Sequence, residues 1–325
     1  MAGLCVNPFP GAGMCDEPAK EPQPVNEESP IVDCHQHLWD LERFKLPWIE
    51  AGTLLGRSYA MQDYLAAIEG TGIQHAVYME VDVDPAQQLA EADYVVEICK
   101  GSKTPTIAGV VSGRPASDGF QDYVARLKKS PHIKGIRQVL HGEGTPAGYC
   151  LKENFIRGIQ HLGENDLSFD LCMRPKELAN GAALAKHCPD TRFIVDHCGN
   201  ADVKAFFQPG DPRLTDTKPD HNAGAWKRDM DLLAARKNTI CKISGVIARV
   251  PKEWSAEDLA PIVNHCLDSF GPDRVIFGSD WPVCLLGAPL KEWVAALRQI
   301  IADRPAEEQQ KLLFGNAARR YGLQV

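Results

Sequence analysis

Two histidines one residue apart, His35 and His37, follow a short apolar run at residues 31–34 that predicts a β-strand. Alternate residues of an extended chain point to the same face, so the two imidazoles are expected to project together. Imidazole is a usual ligand of zinc in proteins. The pair therefore indicates a candidate metal site at the end of the first strand.

Two later segments have the same layout, an apolar run followed by a candidate ligand. Residues 192–195 lead into Asp196 and His197, and residues 275–279 lead into Asp280. Imidazole and carboxylate ligate zinc ions that keep one position open for water, and such an ion hydrolyses esters and amides by lowering the pKa of that water. The candidate ligands of one cation are therefore His35, His37, His197 and Asp280.

Asp280 also suits the role of general base, because a carboxylate that ligates through one oxygen can use the other to take a proton from the attacking water. Its alternative is an Asx turn or helix cap before Pro282, and both interpretations can hold. For His197 the alternative is a buried histidine that donates to a neighbouring carbonyl. Covalent catalysis is not expected, since the sequence has no Gly-x-Ser-x-Gly elbow.

Three further side chains are candidates for contact with a substrate or for support of the site. Arg137 lies in the predicted fourth strand, where a guanidinium suits recognition of a carboxylate, polarisation of a carbonyl oxygen, or a structural ion pair. Glu80, at the end of the second strand, is a candidate ligand, an acceptor for a histidine N–H or an ion-pair partner. Trp281, directly after Asp280, is also placed among the expected substrate contacts.

The elements that must position these residues alternate along the chain as strand and helix, at spacings typical of βα units. Eight strands are predicted, at residues 31–34, 76–79, 106–111, 133–139, 168–173, 193–196, 239–243 and 275–277. Eight helices are predicted between and after them, at residues 61–69, 85–99, 120–129, 154–162, 176–187, 225–236, 256–270 and 290–301.

This α/β pattern favours a single, distorted TIM (β/α)8 barrel over residues 30–325. An open doubly wound sheet fits less well, because no Gly-rich phosphate-binding turn follows the first strand. Residues 199–224 form a long polar insert after the sixth strand, which on a barrel would overhang the rim where ligands bind. Within or beside it, His221 and Trp226 are expected either to face substrate or to be solvated.

Composition excludes several classes of protein. The 325 residues are 44% hydrophobic with a formal net charge of -8, and this charge argues against a nucleic-acid partner. The partner that the candidate site leads us to expect is a small-molecule substrate. No stretch of about eighteen apolar residues is present, so no membrane span is expected. Residues 1–29 lack a secretory layout and are expected to be a disordered or loosely packed arm, which predicts a cytoplasmic protein. Oligomerisation stays open.

Eleven cysteines do not indicate a disulfide framework, because chains stapled by disulfides are usually short and this one has room for a large core. Six of them lie in or beside apolar runs and are expected to be buried, reduced thiols: Cys34, Cys172, Cys188, Cys198, Cys241 and Cys266. Cys5 and Cys15 belong to the N-terminal arm.

Several motifs together resemble the amidohydrolase-2 family of the amidohydrolase superfamily. They are Asp33-Cys34-His35-Gln36-His37-Leu38-Trp39-Asp40, Gly135-Ile136-Arg137-Gln138, Asp196-His197-Cys198-Gly199, Lys242-Ile243-Ser244-Gly245 and Gly278-Ser279-Asp280-Trp281-Pro282. The resemblance runs from about residue 31 to the end of the chain. Within the family it is narrowest to the sugar-lactonase group, which includes L-fuconolactone and L-rhamnonolactone hydrolases and sulfomuconolactone hydrolase.

The resemblance implies a distorted TIM barrel in which water attacks a lactone carbonyl with the help of one divalent cation, zinc by expectation, or of none. Carried onto this sequence, His35, His37 and His197 contact the metal or the carbonyl oxygen, Asp280 is the base, and Arg137 with His141 contacts substrate. The fifth strand lacks the lysine or histidine that bridges two metals in binuclear members, so one cation is the expectation.

Three functions stay open on the sequence alone. The leading one is a hydrolase that opens a sugar-acid or related carboxylated lactone. The second is a zinc-dependent decarboxylase of the same superfamily that works without redox chemistry. The third is a barrel that binds a small molecule without turning it over, against which the intact set of His35, His37, His197 and Asp280 argues.

Overall fold

Eight parallel strands form the centre of the computed structural model, which describes residues 29–102, 104–214 and 218–325 together with residues 1 and 3. The strands pair in chain order from first to last. They are β1 Ile31–Gln36, β2 Ile73–Met79, β3 Thr106–Ser112, β4 Ile133–Val139, β5 Ser168–Cys172, β6 Phe193–Val195, β7 Thr239–Ile243 and β8 Val275–Phe277.

The sheet closes on itself through the segment that follows β8. Asp280 N donates to His35 O (2.9 Å) and His37 N donates to Trp281 O (2.8 Å). The carboxylate of Asp33 adds a second tie, because it accepts from the backbone N–H of Ser279 at 2.7 Å. The two ends of the barrel therefore meet at the residues that follow β8, and the fold is the predicted TIM barrel.

Helices cover the outside of the sheet in the order that the sequence predicts. Those between and after the strands are Met61–Ile68, Gln88–Lys100, Phe120–Leu127, Glu153–Glu164, Leu178–His187, Ala223–Ala234, Ala256–Phe270 and Leu290–Ile300. The chain continues through Ala306–Gln310, a π-helical turn at Lys311–Gly315 and Asn316–Tyr321. All eight predicted strands and all eight predicted helices are confirmed, with ends that move by a few residues.

The helix Ala256–Phe270 illustrates how local chemistry sets these boundaries. Its carboxylate at Asp258 accepts from Ser255 N (2.9 Å), which satisfies a backbone donor at the start of the helix. Gly271, at φ +71°, ends it in a conformation that side chains disfavour. These caps set the two ends of the helix, which packs against the outside of β7 and β8.

Two apolar layers hold the barrel. The larger one lies between strands and helices, and the smaller one fills the barrel and is closed at its lower end by Ala317 and Tyr321. The nine described cysteines are buried free thiols, as expected. Across the described ranges, no helix combines the length and the apolar character needed to cross a bilayer. The expected N-terminal arm lies outside the described residues, apart from residues 1, 3 and 29.

Candidate active site

A cavity of about 380 Å³ opens among the loops that follow the strands. Parallel strands all end on the same rim of such a barrel, so residues that follow different strands meet there. Polar side chains on its wall are His37, Asp82, Arg137, His141, His197, Asn200, Arg249 and Asp280, and larger apolar ones are Trp48, Val81, Val139, Val283 and Leu286. The cavity has the size and mixed lining of a small-molecule site.

Three imidazoles cluster at the base of this cavity. The ring centroid of His35 lies 4.8 Å from that of His37 and 4.4 Å from that of His197. His37 Nδ1 lies 2.9 Å from Met79 O, to which it donates, and this leaves Nε2 free to accept or to ligate. The sequence prediction that β1 presents two imidazoles together is confirmed.

Asp280 joins this cluster from the other end of the sequence. Its Oδ1 lies 3.3 Å from His37 Nε2 and 3.6 Å from His35 Nε2, and its Oδ2 lies 3.9 Å from His197 Nδ1. The backbone of Asp280 has a left-handed φ of +60°. This conformation is strained for a residue other than glycine, and residues that adopt it are frequent in active sites. The four predicted ligands are thus brought together.

His197 is presented by a short left-handed turn directly after β6. Four consecutive residues, His197–Asn200, have φ values of +53°, +51°, +67° and +56°. The imidazole Nδ1 lies 3.0 Å from Ser244 Oγ. The backbone of Gly245 passes so close that a Cβ there would lie 2.3 Å from His197 Nδ1. Only glycine at position 245 leaves room for this ring.

Two buried cations flank His35. Arg137 Nη1 lies 3.2 Å from its Nε2, and Lys242 Nζ lies 3.2 Å from its Nδ1. Burial, reinforced by the neighbouring cations, lowers the pKa of His35 well below 6.5, so the ring is neutral. A neutral imidazole accepts through one nitrogen only, so just one of the two contacts is an ordinary hydrogen bond at any time.

Lys242 is the centre of a charge network inside the barrel that the sequence reasoning did not single out. Its ammonium donates to Asp170 Oδ2 (2.6 Å) and to Asp196 Oδ1 (2.9 Å), and all three side chains are fully buried. Burial raises the pKa of Asp170 to about 7 despite the ammonium. For Asp196, Lys242 and other cations outweigh burial and hold its pKa below the usual value.

Arg137 crosses the upper end of the barrel with its guanidinium held in place on three sides. Its Nε donates to Glu80 Oε1 (2.6 Å), its Nη2 to Glu80 O (2.7 Å), and its Nη1 lies 3.4 Å from Asp196 Oδ2. The remaining guanidinium surface faces the cavity. A fixed, permanently charged fork at this place suits a carbonyl oxygen that gains negative charge.

The ionisation of Asp280 follows from its neighbours. Burial by itself would raise its pKa, but the nearby imidazoles of His197 and His37 and the charge of Arg137 lower the pKa below 3.8 overall. Burial lowers the pKa of His197 below 6.5, although Asp280 and Asp196 oppose that shift. Near neutral pH the site therefore holds a carboxylate beside the neutral imidazoles of His35 and His197.

The side chains present fit a single cation. In a tetrahedral site with bonds of about 2.1 Å, neighbouring ligand atoms lie about 3.4 Å apart, close to the separations of 3.3 and 3.6 Å between Asp280 and the Nε2 atoms of His37 and His35. The donor atoms of His35, His37 and Asp280 all lie within 4.8 Å of one another. Arg137, which contacts the same His35 nitrogen, must give way to such an ion.

The remaining predicted site residues have different positions. Arg137 and His141 lie on the cavity wall, as expected. Glu80 lies behind Arg137, fully buried, with one oxygen on that guanidinium and the other accepting from Asp82 N (2.6 Å), so of its three interpretations the ion pair is the one observed. Trp281 is buried and packs edge-on against Tyr59 and not on the wall, so its placement among the substrate contacts is wrong.

The polar insert supports the site from behind. The indole of Trp226 is buried and donates to Cys198 O (2.9 Å), which holds the turn that presents His197. His221 Nε2 accepts from Asp202 N (2.8 Å). Neither side chain lines the cavity. Trp226 is buried and therefore not solvated, whereas His221 is partly exposed, which agrees with the alternative of a solvated loop residue. Arg249 and Asn200, which the prediction missed, lie on the wall instead.

Comparison with known proteins agrees with this geometry. L-fucono-1,5-lactonase of Burkholderia multivorans is 29% identical over 306 residues, covering 90% of this chain and 96% of that protein. L-rhamnono-gamma-lactonase of Scheffersomyces stipitis is 24% identical, covering 90% and 98%. A crystal structure of an amidohydrolase from B. multivorans with bound zinc superposes with a TM-score of 0.77 at 25% identity, covering 90% and 99%.

The family model described as Amidohydrolase matches residues 32–323, from the strand that carries the histidine pair to the last helix. That span includes every element of the barrel and every side chain of the candidate site. The chain belongs to the amidohydrolase family.

Proposed function

We propose that this protein hydrolyses the ester bond of a small lactone, of the sugar-acid or related carboxylated kind, by attack of an activated water. The observation that carries the proposal is the meeting of Asp280 with His35 and His37, within 3.6 Å, beside the guanidinium of Arg137 in one cavity. A carboxylate, a set of imidazoles and a fixed positive charge are the parts that water attack on a carbonyl requires.

In this proposal Asp280 accepts a proton from a water as that water bonds to the lactone carbonyl carbon. The carbonyl oxygen becomes an oxyanion, which the guanidinium of Arg137 stabilises. Collapse of the tetrahedral intermediate breaks the bond to the ring oxygen, and the proton held by Asp280 passes to that leaving oxygen. The products are one hydroxyl and one carboxylic acid on a single open-chain molecule, and the acid loses its remaining proton to solvent to become a carboxylate.

Because the pKa of Asp280 is lowered, this carboxylate is a weak base and the water must be made more acidic for fast transfer. A zinc ion held by His35, His37 and Asp280, with His197 beside it, would supply that acidity and polarise the carbonyl. The chain also has its own source of positive charge in Arg137, which lies 3.2 Å from the same imidazole. A chelator would remove activity that depends on zinc but not activity that depends on Arg137.

The substrate class is supported by the names of two relatives, an L-fucono-1,5-lactonase and an L-rhamnono-gamma-lactonase. It is supported as well by the wall of the cavity, where Arg249, Asn200 and His141 offer polar partners to hydroxyl or carboxylate groups. We assign these three residues to binding and orientation of the substrate.

The test is a screen of purified protein against a lactone panel with a pH indicator, which detects the acid that ring opening releases. We expect turnover of a sugar-acid lactone, and a loss of about 10²–10⁴-fold in kcat for Asp280→Asn. Metal-free protein, made with a chelator, keeps its activity if Arg137 alone stabilises the oxyanion. If the cation is required, the metal-free protein loses its activity and regains it when zinc is added. Absence of turnover on the whole panel, or an Asp280→Asn variant as active as the parent, would refute the proposal, and release of carbon dioxide from an aromatic acid would favour the decarboxylase.

A further inference from the structure

Three cysteines from distant parts of the sequence meet behind the candidate active site. Cys198 follows β6, Cys241 lies in β7 and Cys266 lies in the helix Ala256–Phe270. Their Sγ atoms all lie within 4.8 Å of one another, and each residue is 0% exposed. This thiol cluster lies in the apolar layer between strands and helices, and the proposed hydrolysis does not use it.

The geometry of the thiol cluster is that of a small-ion site. Three atoms that are at most 4.8 Å apart all lie within about 2.8 Å of one common point, and a contraction of about 0.5 Å brings them to the zinc–thiolate distance of about 2.3 Å from it. The carbonyl oxygen of Lys242 lies 3.8 Å from Cys198 Sγ.

The chemistry of the surroundings selects the kind of ion. Thiolates prefer soft cations, whereas calcium and magnesium need oxygen ligands or water, which this layer does not offer. Ligation removes protons from the thiols, and net charge is costly in an apolar layer. A divalent ion cancels two of three thiolate charges, whereas a monovalent ion cancels one.

The backbone of Cys198 gives a second, independent reason. It lies in the left-handed turn His197–Asn200, where Cys198 itself has φ +51°. Left-handed non-glycine residues cost about 1–2 kcal/mol each and persist where the surroundings hold them. A cross-link from Cys198 to β7 and to the helix Ala256–Phe270 would hold this turn, and with it the neighbouring His197.

We propose that Cys198, Cys241 and Cys266 form a structural binding site for one thiophilic divalent cation of the zinc and cadmium type, distinct from the cation site of the active centre. The ion replaces the thiol protons, which are released to solvent, and no oxidation state changes. Its function is to brace the backbone that carries His197 and Lys242.

Cadmium chloride is the probe, because cadmium–thiolate bonds give an ultraviolet charge-transfer band that histidine and carboxylate ligands do not. The full chain is reduced, freed of metal and titrated, with Cys5→Ser and Cys15→Ser in all samples to remove the cysteines of the N-terminal arm. We expect the band to reach a plateau that corresponds to one thiolate-bound cadmium per chain, and the melting temperature to rise. Cys266→Ser and Cys241→Ala should lose the band, and their melting temperatures should rise less than that of the parent, because only the active-site ligands then bind cadmium.

Cys172→Ala is the matched control, because Cys172 is a buried thiol that lines the active-site cavity and lies outside the thiol cluster. It should keep the band and the rise in melting temperature. The far-ultraviolet circular dichroism of the metal-free Cys266→Ser protein should equal that of the parent, so that loss of the band reports a lost ligand. No band in the parent, or an unchanged band in both Cys266→Ser and Cys241→Ala, would overturn the proposal.

Discussion

Replacement of Lys242 by methionine is the sharpest test of the charge network inside the barrel. The ammonium lies 2.6 Å from Asp170 and 2.9 Å from Asp196, and none of the three side chains reaches solvent. Removing one member of a buried ion pair leaves an uncompensated charge and costs about 3–5 kcal/mol of unfolding free energy. Asp196 keeps a partner in Arg137, at 3.4 Å, so most of that cost falls on Asp170.

This division of the cost predicts a rescue. The double variant Lys242→Met with Asp170→Asn removes the carboxylate that the single variant leaves unpaired, and we expect it to recover about half of the lost unfolding free energy. The control is Lys100→Met on an exposed helix position, for which we expect a change within about 0.5 kcal/mol. Denaturant unfolding of the four proteins at pH 7 gives all the values.

The dependence on pH has a definite sign. The pKa of Asp170 in the folded protein is about 7. Because the ammonium of Lys242 lowers this pKa, removal of the ammonium must raise the pKa further. A carboxyl group whose folded pKa exceeds its unfolded value binds more protons in the folded state, so stability is gained as the pH falls through the folded pKa. The deficit of Lys242→Met should therefore shrink between pH 8 and pH 6. A deficit below about 1 kcal/mol that does not change over this range would refute the network's assigned charges.

Three further outcomes follow from the site. Gly245→Ala should lower kcat about tenfold or more because its methyl group meets the ring of His197, whereas Gly271→Ala, at a similar φ of +71° with open space around it, should alter stability but not kcat. Arg137→Lys should lower kcat about 10²-fold or more, because an ammonium cannot keep the forked contacts, and steady-state kinetics with the best lactone checks both changes. On the acid side, kcat/KM should begin to fall only below pH 6.5, because the lowered pKa values keep the imidazole of His197 neutral and the carboxylate of Asp280 ionised down to that pH. A fall in kcat/KM that begins above pH 6.5 would contradict this.

The barrel was predictable because its signal is repeated and local. Each strand is a short apolar run, as is typical of parallel strands that are buried on both faces. Each helix shows the helical periodicity of apolar residues. The ligands were predictable for the same reason, since His35, His197 and Asp280 each end or follow such a run. The repeated strand and helix pattern does not predict the direction in which a side chain points or which partner it binds.

The residues that sequence reasoning misplaced depend on contacts between units distant in the chain. Glu80 and Trp281 end or follow strands as the ligands do, yet one binds Arg137 and the other packs on Tyr59. For Lys242 a signal was present, because a charged residue inside the apolar run of β7 must find a buried partner. The local sequence does not indicate that the partners of Lys242 are Asp170 and Asp196, because these residues lie in other units of the barrel.

The tie between Asp33 and Ser279 joins residues 246 positions apart, and the backbone bonds beside it set Asp280 next to His35. The reactive groups are thus assembled from the first strand and from the segment after the last. A chain still emerging from the ribosome, or one truncated before β8, has no place where water can be activated, however many of its inner strands have paired. Turnover is for this reason a direct reporter of ring closure, and refolding followed by activity should lag behind refolding followed by helix content.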